Sequence, residues 1–145
     1  MYTLTSPGRL LYQDTLLNIK REYEVGYITA ECLTDCRLAT FKYRHVQNLY
    51  NQYPNFARKA HESIIAISYD FAKYIGILRA SGARAKVRGA IELMCQWKIR
   101  LTTNNLAELL ALDRTTVSRE LTTLRKSEPE LWEEYTDGKG HLRTS

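Results

Sequence analysis

The chain has 145 residues and a formal net charge of +5, with 21 Lys or Arg against 16 Asp or Glu. A chain of this length buries one good core or two small ones, and its basic surplus favours a polyanionic partner. It holds no apolar run of about 18 residues, no signal-peptide layout at its start and only three cysteines without framework spacing, so we expect a cytoplasmic protein that is not inserted in a membrane.

Residues 1–53 are predicted to be rich in β-strands. Short alternating runs, such as residues 16–23 and 37–43, have the two-residue period of a half-buried strand. Turn-forming residues separate the runs at Ser6-Pro7-Gly8, Gly26 and Asp35. We therefore expect a small β part before the helices.

Residues 54–81 are predicted to form one long helix. From Pro54 the apolar residues follow alternating spacings of three and four, which is the a/d period of a helical seam, and Ser81-Gly82 marks its end. The seam can pack on the β part of its own chain or pair with a second copy. A second apolar stripe at Ile65, Ala72 and Ile75 leaves room for both contacts. The seam residues that we assign to dimerisation are Ile64, Ile67, Phe71, Tyr74 and Leu78.

Residues 82–145 are predicted to form a further domain, which begins with a helix at Arg84–Trp97. Its centre is Leu101–Lys126, where the spacing predicts two short helices joined by a tight turn. Thr102 can cap the first helix and Asp113 the second, because each side-chain oxygen can accept from free backbone N–H groups. This arrangement predicts a helix-turn-helix, so we expect residues 82–145 to be a DNA-binding domain.

The second helix of this pair has two different faces. Val117, Leu121 and Leu124 share one stripe of a helical wheel, which is expected to pack, while the other face is polar and basic. The local charge agrees, since residues 84–126 hold nine Lys or Arg against four acidic residues. The residues that we expect to contact DNA are Thr102, Arg114, Thr115, Ser118, Arg119 and Thr122.

Beyond Lys126, the sequence predicts a small hairpin around Asp137-Gly138, which would be the wing of a winged helix. The stretch is acidic, so its candidate phosphate contacts are only Lys139 and His141. We expect the wing to support the fold more than the binding.

The segment RLTTNNLAELLALDRTTVSRELTTLRK resembles the helix-turn-helix of the CRP/FNR superfamily of bacterial transcription regulators. The run T-x3-L-A-x2-L and the helix R-x-T-V-S-R carry the likeness. Upstream, Ala30–Ala60 is similar to the end of that family's sensory β-roll, a last strand followed by a short helix, and the whole resemblance covers about residues 27–126. It implies an α+β fold with a partial β-roll, a long dimerisation helix and a C-terminal winged helix-turn-helix.

The resemblance implies a homodimeric regulator that binds a pseudo-palindromic operator in double-stranded DNA, with RNA polymerase left open as a further partner. A second half-site also adds affinity and specificity, which favours the dimer. Arg119 is the better candidate for a bidentate base contact, whereas Arg114 can read a base or grip a phosphate. Ser118 can touch a base edge or bond locally. Thr115 stands where many members have glutamate, and threonine cannot supply that carboxylate.

The cofactors of this family are not expected here. Tyr23-Glu24-Val25 stands where the cyclic-nucleotide cassette has Arg-Ser-Ala, and its glutamate would repel a phosphate. An iron–sulfur cluster needs four placed cysteines, whereas this chain has Cys32, Cys36 and Cys95. We predict no cofactor and no metal, and we leave the effector open. The chain is also short for this pattern, so either the roll is abbreviated or the sequence is an N-terminally shortened form.

Two other functions are compatible with parts of the sequence. A ligand-responsive module would bind a small molecule in a pocket lined by Tyr23, Tyr27 and Phe41, with secondary and largely non-specific DNA affinity. An enzyme is the weakest hypothesis, because the histidines have no nucleophile, carboxylate or metal-ligand partner at recognisable spacing. We therefore expect a sequence-specific regulator and no enzyme.

Overall fold

The computed structural model describes residues 6–9 and 31–137. Every regular element in these residues is a helix: α1 Tyr43–Gln52, α2 Pro54–Arg79, α3 Ala83–Trp97, α4 Thr103–Leu110, α5 Arg114–Ser127 and α6 Pro129–Asp137. They fall into two compact units, which hold residues 6–9 with 31–70 and residues 71–137. No helix in the described ranges is long and apolar enough to cross a bilayer.

The predicted α+β fold is wrong, because residues 6–9 and 31–137 contain no strand. The run at 37–43, predicted as a strand, has no regular structure until α1 begins at its last residue. The other predicted strand, at 16–23, lies outside the described residues. The partial β-roll expected for residues 1–53 therefore has no counterpart in residues 31–53.

The first unit shows why α1 is helical despite its β-prone residues. Val46 is buried beside Ala60, and Tyr50 and Phe56 pack against that pair. Val46 and Tyr50 are four residues apart, so a helix places both on one face toward α2. Aromatic and β-branched residues favour strands where a neighbouring strand offers a surface, and here the neighbour is a helix.

The predicted wing is wrong as far as residue 137, because Pro129–Asp137 is helix α6. Proline suits the first helical position, where a missing N–H costs no hydrogen bond. Trp132 and Tyr135 lie one turn apart, and Tyr135 is buried. An apolar face of this spacing packs as a helix. Lys139 and His141 lie outside the described residues.

Helix α3 is the centre of the second unit. It contacts α4, α5 and α6. The end of α2 lies close to it, because a Cβ added at Gly89 would be 3.1 Å from Cγ1 of Ile77. Its buried residues are Val87, Ala90, Ile91, Leu93 and Met94.

The buried carboxylate of Asp70 ties residues 6–9 to α2 within the first unit. Asp70 accepts hydrogen bonds from the backbone N–H of Ser6 at 3.2 Å and from its hydroxyl at 2.9 Å. The Nε of Arg9 lies 3.4 Å from the same oxygen. A buried charge needs such partners, because an unpaired one is costly to desolvate.

Candidate nucleic-acid interface

Helices α4 and α5 are joined by a turn of three residues, 111–113. The Thr102 hydroxyl accepts from the Asn105 N–H at 3.1 Å and so caps the start of α4, as predicted. At the other end, Ala111 has a left-handed backbone with φ of 50°. The Leu112 N–H donates to the Ala107 carbonyl at 2.9 Å, which closes α4 as a Schellman motif.

The angle between the two helices is fixed by a small buried cluster. Leu106, Leu110 and Val117 are completely buried, and Leu124 is 2% exposed. Ala107 is also buried, and its small side chain allows the helices to approach closely. Because interiors are close-packed, this cluster restricts how α5 packs on α4.

Polar contacts hold the far end of α5 against α3. The Arg88 Nε donates to Glu128 at 2.9 Å, and the Arg88 Nη1 pairs with Glu92 at 2.8 Å. The hydrogen bond with Glu128, followed by the charge of Glu92, raises the pKa of the Arg88 guanidinium. Arg84 donates to the Ser127 hydroxyl at 3.2 Å. The C-terminal end of α5 is therefore anchored to α3.

Five of the six predicted DNA contacts line one open hollow of about 400 Å³ on the surface of α5. All five side chains are exposed, and so is Thr102 at the start of α4. We call the five residues the α5 face; they are Arg114, Thr115, Ser118, Arg119 and Thr122.

The α5 face presents two guanidinium groups among short hydroxyl side chains. Arg119 is 73% exposed, and its Nε lies 3.6 Å from Glu120, which is a loose ion pair. Among the described residues, no carboxylate lies within ion-pair distance of Arg114. The Thr122 hydroxyl donates to the Ser118 carbonyl at 2.9 Å and keeps its acceptor capacity. Such a surface can donate several hydrogen bonds to an anion or a base edge.

One predicted detail is wrong: Asp113 makes no side-chain capping bond. It occupies the N-cap position of α5, with φ −66° and ψ 140°, but its carboxylate accepts from no helix N–H. The side chain is exposed, so solvent hydrates the carboxylate. Asp113 can still act on α5 through its charge, because an anion is favoured at a helix N-terminus.

No family model, curated protein or solved structure matches this chain.

The residues assigned to dimerisation all lie on α2, but they are unequally available. Tyr74 is 3% exposed, and its hydroxyl donates to the Leu109 carbonyl at 2.7 Å, so it packs within its own chain. Burial raises the pKa of this phenol. The other four, Ile64, Ile67, Phe71 and Leu78, are half-buried. On the neighbouring stripe, Ile65 is 56% exposed.

The ligand pocket of the alternative hypothesis gains no support from the described residues. Phe41 is exposed, whereas Tyr23 and Tyr27 lie outside the described residues.

Sequence reasoning missed Tyr135, the residue that fastens α6 to the backbone just before α4. The Tyr135 hydroxyl donates to the Leu101 carbonyl at 2.8 Å and accepts from the Leu101 N–H at 3.2 Å. The Arg100 guanidinium lies 5.9 Å from the centre of the same ring. Pro129 and the Trp132–Tyr135 spacing indicate a helix here, but the segment had been assigned to a hairpin.

Proposed function

We propose that this protein is a sequence-specific DNA-binding regulator of transcription that uses the α5 face to read the major groove. The observation that carries the proposal is the α5 face itself: two arginines and three hydroxyl residues gathered on one exposed side of a helix. A capped helix, a tight turn and a second helix on a shared buried cluster support it further. The likeness to CRP/FNR regulators is proposed for α4 and α5 alone.

The chemistry of this face suits a duplex. A guanidinium can donate two parallel hydrogen bonds to O6 and N7 of guanine, and Arg119 is exposed enough to do so. Arg114, in the first turn of α5, is placed to read a base or to bind a phosphate. The threonine hydroxyls can bond to base edges or phosphates, and the Thr115 methyl can touch the methyl group of thymine.

The start of α4 supplies a second contact. Thr102 is exposed at the start of α4, where the helix dipole favours an anion. A phosphate bound there would fix the register of α5 in the groove without reading sequence.

We propose further that the regulator acts as a homodimer in the cytoplasm. Two copies of the α5 face would read two half-sites about 34 Å apart, which is one turn of the duplex. Four half-buried apolar residues of α2, Ile64, Ile67, Phe71 and Leu78, leave surface for a partner helix.

Selection of bound duplexes from a randomised pool, followed by a salt titration of the enriched sequence, tests the proposal. An inverted repeat should be enriched, because a symmetric dimer reads its half-sites in opposite directions. The logarithm of its binding constant should fall linearly with the logarithm of the salt concentration, with a slope of about 0.9 per phosphate contacted. Binding with the same steep slope but no enriched sequence would reduce the α5 face to a general phosphate-binding surface and overturn the proposal.

A further inference from the structure

Two of the three cysteines lie together on the surface of the first unit. Cys32 and Cys36 are both exposed, in a segment without regular structure that precedes α1. The Cys36 thiol donates a hydrogen bond to the Cys32 sulfur, and the two sulfur atoms are 2.8 Å apart. In the part of the chain that the structure describes, neither the proposed DNA interface nor the packing of the first unit uses these thiols.

The third cysteine is in a different environment. Cys95 is half-buried in α3, where desolvation first, and then the negative charge of Glu134, raise the pKa of its thiol to about 11. The pKa of Cys36 is raised too, but the main cause is its hydrogen bond to Cys32. A thiol that donates keeps its proton, so in this pair Cys32 is the sulfur that is set up to react first.

We propose that Cys32 and Cys36 are a dithiol that a low-molecular-weight disulfide, such as oxidised glutathione, converts to an intramolecular disulfide. The Cys32 thiolate attacks one sulfur of the oxidant, forming a mixed disulfide and releasing one reduced thiol. Cys36 then loses its proton to solvent, and its thiolate attacks the Cys32 sulfur. The new Cys32–Cys36 bond forms as the second reduced thiol leaves. The two electrons given up by the cysteines reduce the oxidant's disulfide.

The short spacing makes this a modification site rather than a structural crosslink. Only three residues separate the two cysteines, and the stabilisation that a disulfide gives falls as the closed loop becomes shorter. Both thiols face solvent, so an oxidant can enter and a reductant can reverse the bond. Cys95 is half-buried and has no cysteine close to it in the sequence, so it serves as an internal control.

The test uses the full chain in buffers of increasing oxidised-to-reduced glutathione ratio, quenched with acid and labelled with a maleimide. In the oxidising buffers the native chain should lose two hydrogens, carry no glutathione and take up label only at Cys95. The Cys95→Ser variant should oxidise at the same ratio as the native chain and take up no label. The Cys32→Ser and Cys36→Ser variants should each lose the disulfide peptide completely, and Cys36→Ser should stop at a glutathione adduct on Cys32.

Any of three results would overturn the proposal. These are a native chain that keeps both thiols free at every ratio, a glutathione adduct that persists on the native chain, and a bond that links Cys95 or a second chain. Peptide mapping after digestion without reductant separates these cases.

Discussion

Arg119 projects from α5 with most of its side chain in solvent, and its neighbour Glu120 only loosely pairs with it. A salt bridge of that length on a surface contributes little, so the guanidinium can change partner at low cost. Arg114 is similarly exposed. At the scale of single residues, therefore, the α5 face has donors whose hydrogen-bonding capacity is still available.

Substitution of Arg119 distinguishes base reading from phosphate binding. Arg119→Ala should weaken operator binding by about 1–3 kcal/mol and relax the preference at one base pair. Arg119→Lys keeps the charge but not the planar fork, so it should lose most of that preference while retaining affinity for random DNA. Fluorescence anisotropy on operator and scrambled duplexes measures both. An equal loss on the two duplexes for Arg119→Ala would place Arg119 on a phosphate.

The Tyr135 hydroxyl is a second residue whose loss should be measurable. Tyr135→Phe removes both bonds to Leu101 and leaves a buried N–H and C=O unsatisfied, which should lower the free energy of unfolding by about 1–3 kcal/mol. Urea denaturation followed by circular dichroism measures it. Tyr69→Phe removes the same atom from an exposed tyrosine and should change stability little. Similar effects for the two variants would contradict the role assigned to Tyr135.

At the scale of elements, α3 and α4 end in the same way. Each closes with a non-glycine residue in the left-handed region, Lys98 with φ of 55° and Ala111 with φ of 50°. An L-residue pays a steric cost there that glycine avoids, and helices commonly use glycine at this position. The turn between α4 and α5 is therefore held in a conformation that Ala111 does not favour.

Because the backbone at Ala111 is strained, a substitution by glycine there should raise stability, whereas glycine within a helix usually lowers it. Ala111→Gly should stabilise the protein by about 0.5–1 kcal/mol, because the lost steric cost outweighs the added freedom of the unfolded chain. The matched control is Ala85→Gly, which places the same change at an exposed position within α3 and should destabilise by about 0.5–1 kcal/mol. Urea midpoints of the two variants should move in opposite directions. A shift of both to lower urea would rule out strain at Ala111.

At the scale of the whole molecule, the sequence signals were strongest where several agreed. The cap at Thr102, the small residue Ala107 and the buried Val117 together predicted the α4–turn–α5 arrangement and its exposed side. Residues 37–53 gave only short runs of aromatic and β-branched residues, and residues 129–137 were assigned to a hairpin because of the Asp137-Gly138 pair that follows them. Such runs suit a strand or a helix, and what they pack against decides between them. The predicted capping bond of Asp113 was wrong because a side chain at an N-cap position can face solvent instead of the helix N–H groups.

The assembly of the molecule depends on which stripe of α2 a second copy would cover. Phe71→Ala should lower DNA affinity and reduce the sedimentation coefficient at low concentration, because it removes a large apolar group from the seam. Ile65→Ala is the control on the neighbouring stripe and should leave both unchanged. Sedimentation velocity compares them. If Ile65→Ala alone dissociates the dimer, the interface belongs to the second stripe; if neither does, α2 is not the interface.

The contact between Tyr135 and Leu101 also bears on how the second unit opens. The phenol joins two points of the chain that enclose α4 and α5, and Leu101 immediately precedes the cap of α4. We therefore expect a fluctuation that frees the start of α4 to release α6 as well, so that α4, α5 and α6 unfold locally as one cooperative unit. In native-state hydrogen exchange, their slowest amides would then share a single opening free energy, and all would become faster together when that one oxygen is removed.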